Sequence, residues 1–255
     1  VYAAAASLDL PVATHLNESG DELDWLLHGK GPWQPFAEML VEPDGRSGIR
    51  RLAAAGLLDE HMVAAHCVKV DDEEIGLLAR HGVAVTHCPR SNALLGCGIA
   101  PLQALRAAGL RIGLGTDGVS SVPSHDFFEE LRTVLALARA RDERADALSA
   151  TEALELATLG GARALGLANE IGSLVPGKRA DVAVVSLSGS PYLPWEDPAA
   201  AVVYGGAPER VLATLVDGEA RYERGGFEWH ELIDAASRAR GRMLQHAPTS
   251  ATATS

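Results

Sequence analysis

The sequence has very little cysteine and no long apolar run. Only Cys67, Cys88 and Cys97 occur among 255 residues. An odd, low count argues against a disulfide framework and fits a reducing compartment, so we expect a cytoplasmic protein. No apolar stretch reaches the ~20 residues that span a bilayer, and residues 1–10 lack the basic segment that opens a signal peptide. We therefore expect no membrane partner.

Basic residues are scarce as well. The chain has 22 Lys and Arg against 34 Asp and Glu, and its formal net charge is −12. A surface of this charge repels phosphate backbones, which argues against a nucleic acid as partner. Gly96-Cys97-Gly98 is a short loop without the spacing of a phosphate-binding loop, so we expect no nucleotide cofactor. A small molecule remains the expected partner.

Apolar residues are abundant, and they alternate between two patterns. Helical patterns cover residues 46–58, 71–81, 101–109 and 126–141, and Ser149-Ala150-Thr151-Glu152 is a capping box that opens a helix to about residue 165. Short runs rich in Val, Ala and Leu are typical of buried parallel strands, and they lie at residues 11–16, 62–68, 83–88 and 111–116. This alternation predicts an α/β fold.

The pattern changes after about residue 167. Short runs at residues 180–187, 200–204, 210–216 and 219–223 predict four strands, with Asp217-Gly218 as a hairpin turn. Residues 230–245 predict an amphipathic helix, and the small, polar residues 247–255 predict a disordered tail. We therefore expect a βα region over residues 1–167, a small β module over 168–228, and a terminal helix and tail over 229–255.

Polar residues lie where the predicted parallel strands end. His15, His66, His87 and Asp117 follow four successive strands, and Glu18 comes three residues after His15. Imidazole and carboxylate groups bind divalent metals and move protons. Each residue also has a plainer interpretation: a histidine in an apolar strand is usually a core residue, a His and Glu pair often lies in a surface loop, and an Asp before Gly forms turns. Their common place at one end of the strands favours a shared pocket.

Four motifs carry a resemblance to a known family. They are His15-Leu16-Asn17-Glu18, Ala65-His66-Cys67-Val68, His87-Cys88-Pro89-Arg90-Ser91-Asn92 and Leu114-Gly115-Thr116-Asp117-Gly118. In this order they resemble the amidohydrolase superfamily, in particular its deaminases and chlorohydrolases acting on N-heterocycles. Residues 172–181 also resemble the return of such chains into a β-sandwich, and the similarity runs from about residue 2 to residue 223.

The resemblance implies a role for each residue. His15 and Asp117 match ligands of one divalent metal, Zn²⁺ or Fe²⁺, and Asp117 also takes a proton from the attacking water. Glu18 matches the carboxylate that protonates a ring nitrogen, and His66 matches a histidine that assists the water. His87 lines the pocket, and Ser120 lies in a specificity loop over residues 119–123. The implied activity is a metal-dependent deaminase of a purine-type nucleoside such as S-adenosylhomocysteine or aminofutalosine, with guanine deamination or dechlorination as alternatives.

The sequence departs from the family in one respect. None of its nine His forms the His-x-His motif that supplies two further ligands on the first barrel strand. Four parallel strands cannot close a (β/α)8 TIM-type barrel. We therefore expect the C-terminal half of such a barrel (strands five to eight) plus the β-sandwich module, completed by a missing N-terminal half or a homo-oligomer. The rival interpretation is a truncated, metal-free, non-catalytic chain that acts by association with another chain. On its own, the chain is expected to bind metal weakly or not at all.

Overall fold

The computed structural model describes residues 2–8, 10–226 and 229–246. Four parallel strands form one sheet in the order of the chain, β1-β2-β3-β4. Their bounds are Val12–Leu16, Met62–His66, Ala84–His87 and Ile112–Leu114. The predicted α/β class and its four parallel strands are therefore confirmed, and each strand is shorter than or equal to the run that predicted it.

Helices connect the strands and pack on this sheet. They are α1 Tyr2–Ser7, α2 Gly20–His28, α3 Gly48–Ala54, α4 Asp72–Arg80, α5 Pro89–Leu94, α6 Leu102–Ala107, α7 Phe127–Asp142, α8 Ala150–Glu155 and α9 Gly161–Ala164. A π turn, Leu156–Gly160, joins α8 to α9. Capping boxes begin α4 at Asp71 and α8 at Ser149, because each cap side chain accepts the third amide of its helix. The helices α2 and α5 were not predicted.

Register decides which residues share a face of the sheet. His15 pairs with Ala65, Ala65 with Thr86, and Thr86 with Gly113. Side chains alternate along a strand, so these four residues lie in one row on one face. The opposite face carries Met62, Ala64, Val83, Val85, Ile112 and Leu114, which belong to the main hydrophobic core under the helices. Ala164 of α9 packs on Val63 and Ala84, on the face that carries His15. Only the carboxyl-end part of that face is therefore left for a site.

The second sheet is antiparallel and has three strands, β5 Val182–Val185, β6 Val211–Val216 and β7 Glu219–Glu223. The predicted hairpin at Asp217-Gly218 is confirmed: both residues have positive φ, 53° and 81°, as a type I′ turn requires. Several of its apolar side chains, including Val184 and Val216, are exposed.

One predicted strand is wrong. Residues 200–204 lie in a helix, α10, with bounds Pro198–Gly205. The side chain of Asp197 accepts the amide of Ala199, and Pro198 stands in the first turn, where its missing N–H costs nothing. Ala201 and Val203 are buried, and the helix packs against α7 and α8. A short apolar run fits a strand or a helix equally, and here the cap and the packing select the helix.

The chain described ends in helix α11, Trp229–His246, which matches the predicted terminal amphipathic helix. The predicted tail, residues 247–255, lies outside the described residues. So do residues 227 and 228, where the predicted β module ends. Among the helices that the structure describes, none is long and apolar enough to cross a bilayer.

Candidate metal centre

The carboxyl ends of the parallel strands carry unusual backbone conformations. Asn17, His66, Cys67 and Asp117 have φ between 47° and 73°, a region that non-glycine residues seldom adopt. At His66 this has a direct consequence. Strand alternation would point its side chain to the face opposite His15, and a φ of 73° rotates Cβ about the N–Cα bond to the face of His15. The two rings then stack, with centroids 4.9 Å apart.

Three residues form a group that fits a metal ion. One nitrogen each of His15 and His66 and a carboxylate oxygen of Asp117 lie within 4.8 Å of one another. The distance from His15 Nε2 to Asp117 Oδ1 is 3.7 Å. Two imidazoles and one carboxylate are a typical ligand set of catalytic zinc sites. The side chain of His15 is 67% exposed and that of Asp117 only 14%, so the group lies at an open rim of the sheet.

Asp117 is held in place by hydrogen bonds. The Ser91 hydroxyl donates to Oδ2 at 2.6 Å, and the Gly118 amide donates to Oδ1 at 2.7 Å. Just before Asp117, Gly115 lets the chain after β4 lie close to β3, because a Cβ there would lie 2.7 Å from Thr86 Cγ2. Burial disfavours the ionised form, but hydrogen bonds from Ser91, the Gly118 amide and Ser121 outweigh it and hold the pKa of Asp117 below its ordinary value. The carboxylate is therefore ionised and ready to bind a cation.

His66 is fully buried and its tautomer is set by its neighbours. Asn92 Oδ1 lies 2.8 Å from Nδ1, and Glu18 Oε1 lies 3.6 Å from the same nitrogen. Two acceptor oxygens at Nδ1 assign the proton to that atom and leave a lone pair on Nε2. Nε2 is buried and has no hydrogen-bond partner among the described residues. A buried nitrogen of this kind is free to bind a metal or to accept a proton.

The loop after β1 is fixed by a residue that sequence reasoning missed. The carboxylate of Glu22 accepts the amide of Asn17 at 2.9 Å and the amide of Glu18 at 2.6 Å. Ser19 caps α2 and accepts the amide of Glu22. Ser19-x-x-Glu22 has the form of a capping box, so this sequence signal could have identified both α2 and Glu22.

Asn17 anchors the same loop from inside. Its amide donates to Lys69 O and Glu74 Oε1, and its Oδ1 accepts the amide of Ile49. Ser47 also donates to Glu74. Asn adopts a positive φ more readily than most non-glycine residues, which fits the φ of 51° at Asn17. These contacts link β1, α3 and the segment after β2, and they place Glu18 beside His66.

The remaining predicted site residues are not part of this group of three. His87 is buried at the end of β3, and burial together with the neighbouring His66 lowers the pKa of His87 to about 4. It is therefore neutral near pH 7 and lies beneath the rim. Ser120 is exposed in the loop after Asp117. The Sγ of Cys97, a residue for which the sequence indicates no role, lies 3.8 Å from Glu18 Oε1.

Comparison with known proteins gives the class to which this fold and site belong. A model of the Amidohydrolase family matches residues 1–221. The chain therefore belongs to the amidohydrolase family. A curated 5-methylthioadenosine/S-adenosylhomocysteine deaminase of Halobacterium salinarum is 38% identical over 217 residues, which make up 85% of this chain and 47% of the relative.

Solved structures give the same fold. An adenosine deaminase of Xanthomonas campestris with bound zinc has a TM-score of 0.84 at 32% identity, over 96% of this chain and 53% of that chain. The atrazine chlorohydrolase of Arthrobacter aurescens complexed with zinc has a TM-score of 0.78 at 28% identity, over 93% of this chain and 50% of that chain. The present chain thus spans about half the length of these relatives.

Proposed function

We propose that this chain is part of a metal-dependent deaminase that hydrolyses the exocyclic amino group of a purine-type nucleoside or a related N-heterocycle. The observation that carries the proposal is the group of His15, His66 and Asp117, with Glu18 at 3.6 Å from His66. The site thus combines metal donors with a carboxylate for proton transfer. The names of the deaminase relatives support the substrate class.

Each residue has a definable part in this chemistry. His15 and Asp117 hold the divalent metal, Zn²⁺ or Fe²⁺, and His66 Nε2 is the third donor that this chain offers. Bound there, the metal would activate water for attack on the ring carbon that carries the amino group. The ionised Asp117 would accept a proton at its carboxylate, and Glu18 would deliver one to the ring nitrogen. A His-x-His motif from the rest of the protein would supply two more ligands and release His66 for proton transfer.

We further propose that the four parallel strands are the C-terminal half of a (β/α)8 barrel and that the antiparallel strands are half of a β-sandwich. Three observations support this: strand order follows chain order, the relatives are about twice as long, and apolar side chains of the small sheet are exposed. A segment that supplies the N-terminal half, or a homo-oligomer, would complete both. A cytoplasmic location stays a prediction from the cysteine count.

The test compares two proteins. One is the 255-residue chain, and the other, here called the completed barrel, is this chain fused behind the segment of the Halobacterium salinarum relative that it does not match. We expect stoichiometric zinc and ammonia release from adenosine, S-adenosylhomocysteine or guanine only in the completed barrel. Full zinc occupancy and turnover by the chain alone would overturn the proposed division of the site.

A second function is favoured by one observation, the exposure of His15 and of the small sheet. A chain with these surfaces uncovered could act by association with another chain and without a metal. Absence of zinc from a folded, completed barrel would favour this function over the deaminase.

A further inference from the structure

The loop between Asp117 and helix α7, residues 118–126, borders the candidate metal centre and contributes few contacts of its own. It follows the candidate metal donor Asp117, whose Oδ1 accepts the amide of Gly118, the first residue of the loop, at 2.7 Å. The amides of Ser121 and Val122 bond to Gly118 O in a turn. Val119 is 70% exposed, whereas Val122 is buried. Residues 123–125, which follow Val122, are exposed and make none of these turn contacts.

Arg90 anchors this part of the loop. Its Nη1 donates to the carbonyls of Ser124 and Asp126 at 3.1 and 3.2 Å, and its Nη2 donates to Ser124 Oγ at 3.1 Å. Nη2 also pairs with Glu129 at 2.7 Å, and Nη1 lies 3.5 Å from the buried Glu130. The Arg90 side chain is only 8% exposed. A planar guanidinium can meet two carbonyls, a hydroxyl and a carboxylate together, which the single ammonium of lysine cannot.

Arg90 is the first of three consecutive residues that organise the site from α5. Arg90 holds the loop, Ser91 donates to Asp117, and Asn92 contacts His66. The loop, the metal donor and the buried histidine are therefore all positioned from one short helix after β3. Ser91 holds the Asp117 carboxylate from α5, so this part of its support does not depend on the loop.

We propose that Arg90 is a positioning residue that fixes the loop of residues 118–126 beside the metal centre and thereby sets the affinity for substrate. The part of this proposal that concerns substrate rests on the proposed deaminase function. The part that concerns the loop stands on the geometry alone. Exposed residues of the loop, Val119 and Ser120, are the ones that a bound heterocycle at the rim would meet.

Hydrogen exchange followed by mass spectrometry tests the first part, on the 255-residue chain and on the completed barrel. In Arg90→Gln, the amides of residues 118–126 should exchange roughly tenfold faster, because local opening no longer breaks the Arg90 contacts. Arg90→Lys should behave in the same way. The double variant Arg90→Gln with Glu130→Gln avoids an unpaired buried carboxylate and should show the same local change in a folded protein.

Arg139→Gln is the matched control. Arg139 lies on α7 and also holds a carbonyl, that of Leu148, but it does not contact the loop. Exchange of residues 118–126 should be unchanged in this variant. Equal exchange in the loop of the wild type and of the Arg90 double variant would overturn the positioning role.

Kinetics on the completed barrel test the second part. For the double variant we expect KM to rise roughly tenfold while kcat and zinc content stay within about twofold, the result of lost binding that is equal in ground and transition states. An unchanged KM would overturn the role in affinity. A faster-exchanging loop in a completed barrel that releases no ammonia from any substrate would instead contradict the deaminase proposal and leave the anchoring role intact.

Discussion

The two outer strands of the parallel sheet, β1 and β4, each end in a candidate metal ligand, but the two ends are built differently. Asp117, after β4, is mostly buried and receives hydrogen bonds from Ser91 and Gly118. His15, near the end of β1, is mostly exposed, and in the part of the chain that the structure describes its ring only stacks on His66 and faces Asp117. The candidate ligand after β4 is held by hydrogen bonds, whereas the ring of the candidate ligand in β1 is not.

The backbone after β1, unlike the His15 side chain, is firmly held. After β1, Glu22 and Glu74 hold the turn around Asn17 through the amides of the chain and the buried Asn side chain. This turn fixes the position of Glu18, whose Oε1 lies 3.6 Å from His66 Nδ1. The His15 ring is exposed and therefore keeps rotamer freedom. We expect it to lose that freedom when a metal binds. We therefore expect the β4 side to be preorganised for a metal and the β1 side for proton transfer.

The largest effect should come from removing either ligand. In the completed barrel, His15→Ala and Asp117→Ala should lose zinc and ammonia release together, because each removes one of few donors. Zinc per chain, measured by atomic emission, checks this. His61→Ala removes an exposed histidine as a control and should keep both zinc and activity. Stoichiometric zinc in either ligand variant would contradict the site.

The next effect separates proton transfer from metal binding. Glu18→Gln should keep zinc but lower turnover roughly 10²–10⁴-fold, because an amide cannot protonate the ring nitrogen. Steady-state ammonia release and zinc content are measured on the same sample. Asp21→Asn changes an exposed carboxylate three residues away and should leave turnover unchanged. A fully active Glu18→Gln enzyme would remove Glu18 from the mechanism.

A smaller effect should follow when the support of Asp117 is removed. Ser91→Ala deletes the 2.6 Å hydrogen bond to Oδ2, and such outer contacts typically change metal affinity 10–100-fold. Competition with a chromogenic chelator measures the zinc dissociation constant. An affinity equal to that of the wild type would show that Asp117 is not preorganised by Ser91.

The matching change on the β1 side is Glu22→Gln. Its amide turns a donor toward one of the two backbone N–H groups that the carboxylate accepts, so the turn that carries Glu18 should shift. We expect turnover to fall roughly tenfold with zinc affinity changed less than in Ser91→Ala. A larger loss of zinc affinity than of turnover would reverse the comparison between the two sides.

The smallest effect concerns stability and pH on the β4 side. Burial raises the pKa of Glu130, behind this strand end, to about 7. The folded protein keeps a proton there that the unfolded chain loses above about pH 4.5. Stability should therefore fall by on the order of 3 kcal/mol as pH rises from about 4.5 to 7 and level off above that. Urea unfolding at several pH values checks this.

Glu130→Gln should abolish that slope, and Glu129→Gln should keep it, since Glu129 is half-exposed and pairs with the same arginine. A slope that survives Glu130→Gln would assign the pH dependence to another group.

Local chemistry made much of the fold predictable. Strands β1 to β4 follow from short apolar runs, and α4 and α8 follow from their capping residues, because both signals act within a few residues of the chain. The same local signal misled at residues 200–204, where Ala200 to Tyr204 fits a strand as well as a helix. Burial of Ala201 and Val203 against α7 and α8, a contact between distant parts of the chain, selected the helix.

The sequence by itself determined which residues stand at the strand ends, since His15, His66 and Asp117 each close or follow an apolar run. Only the tertiary structure decided that they share one face. Alternation would have pointed His66 away from His15, and a φ of 73° turns it back. The contacts that support the site, such as Asn17 with Glu74 and Ser91 with Asp117, join residues 57 and 26 positions apart. Such contacts depend on how strands and helices pack, which no local pattern encodes.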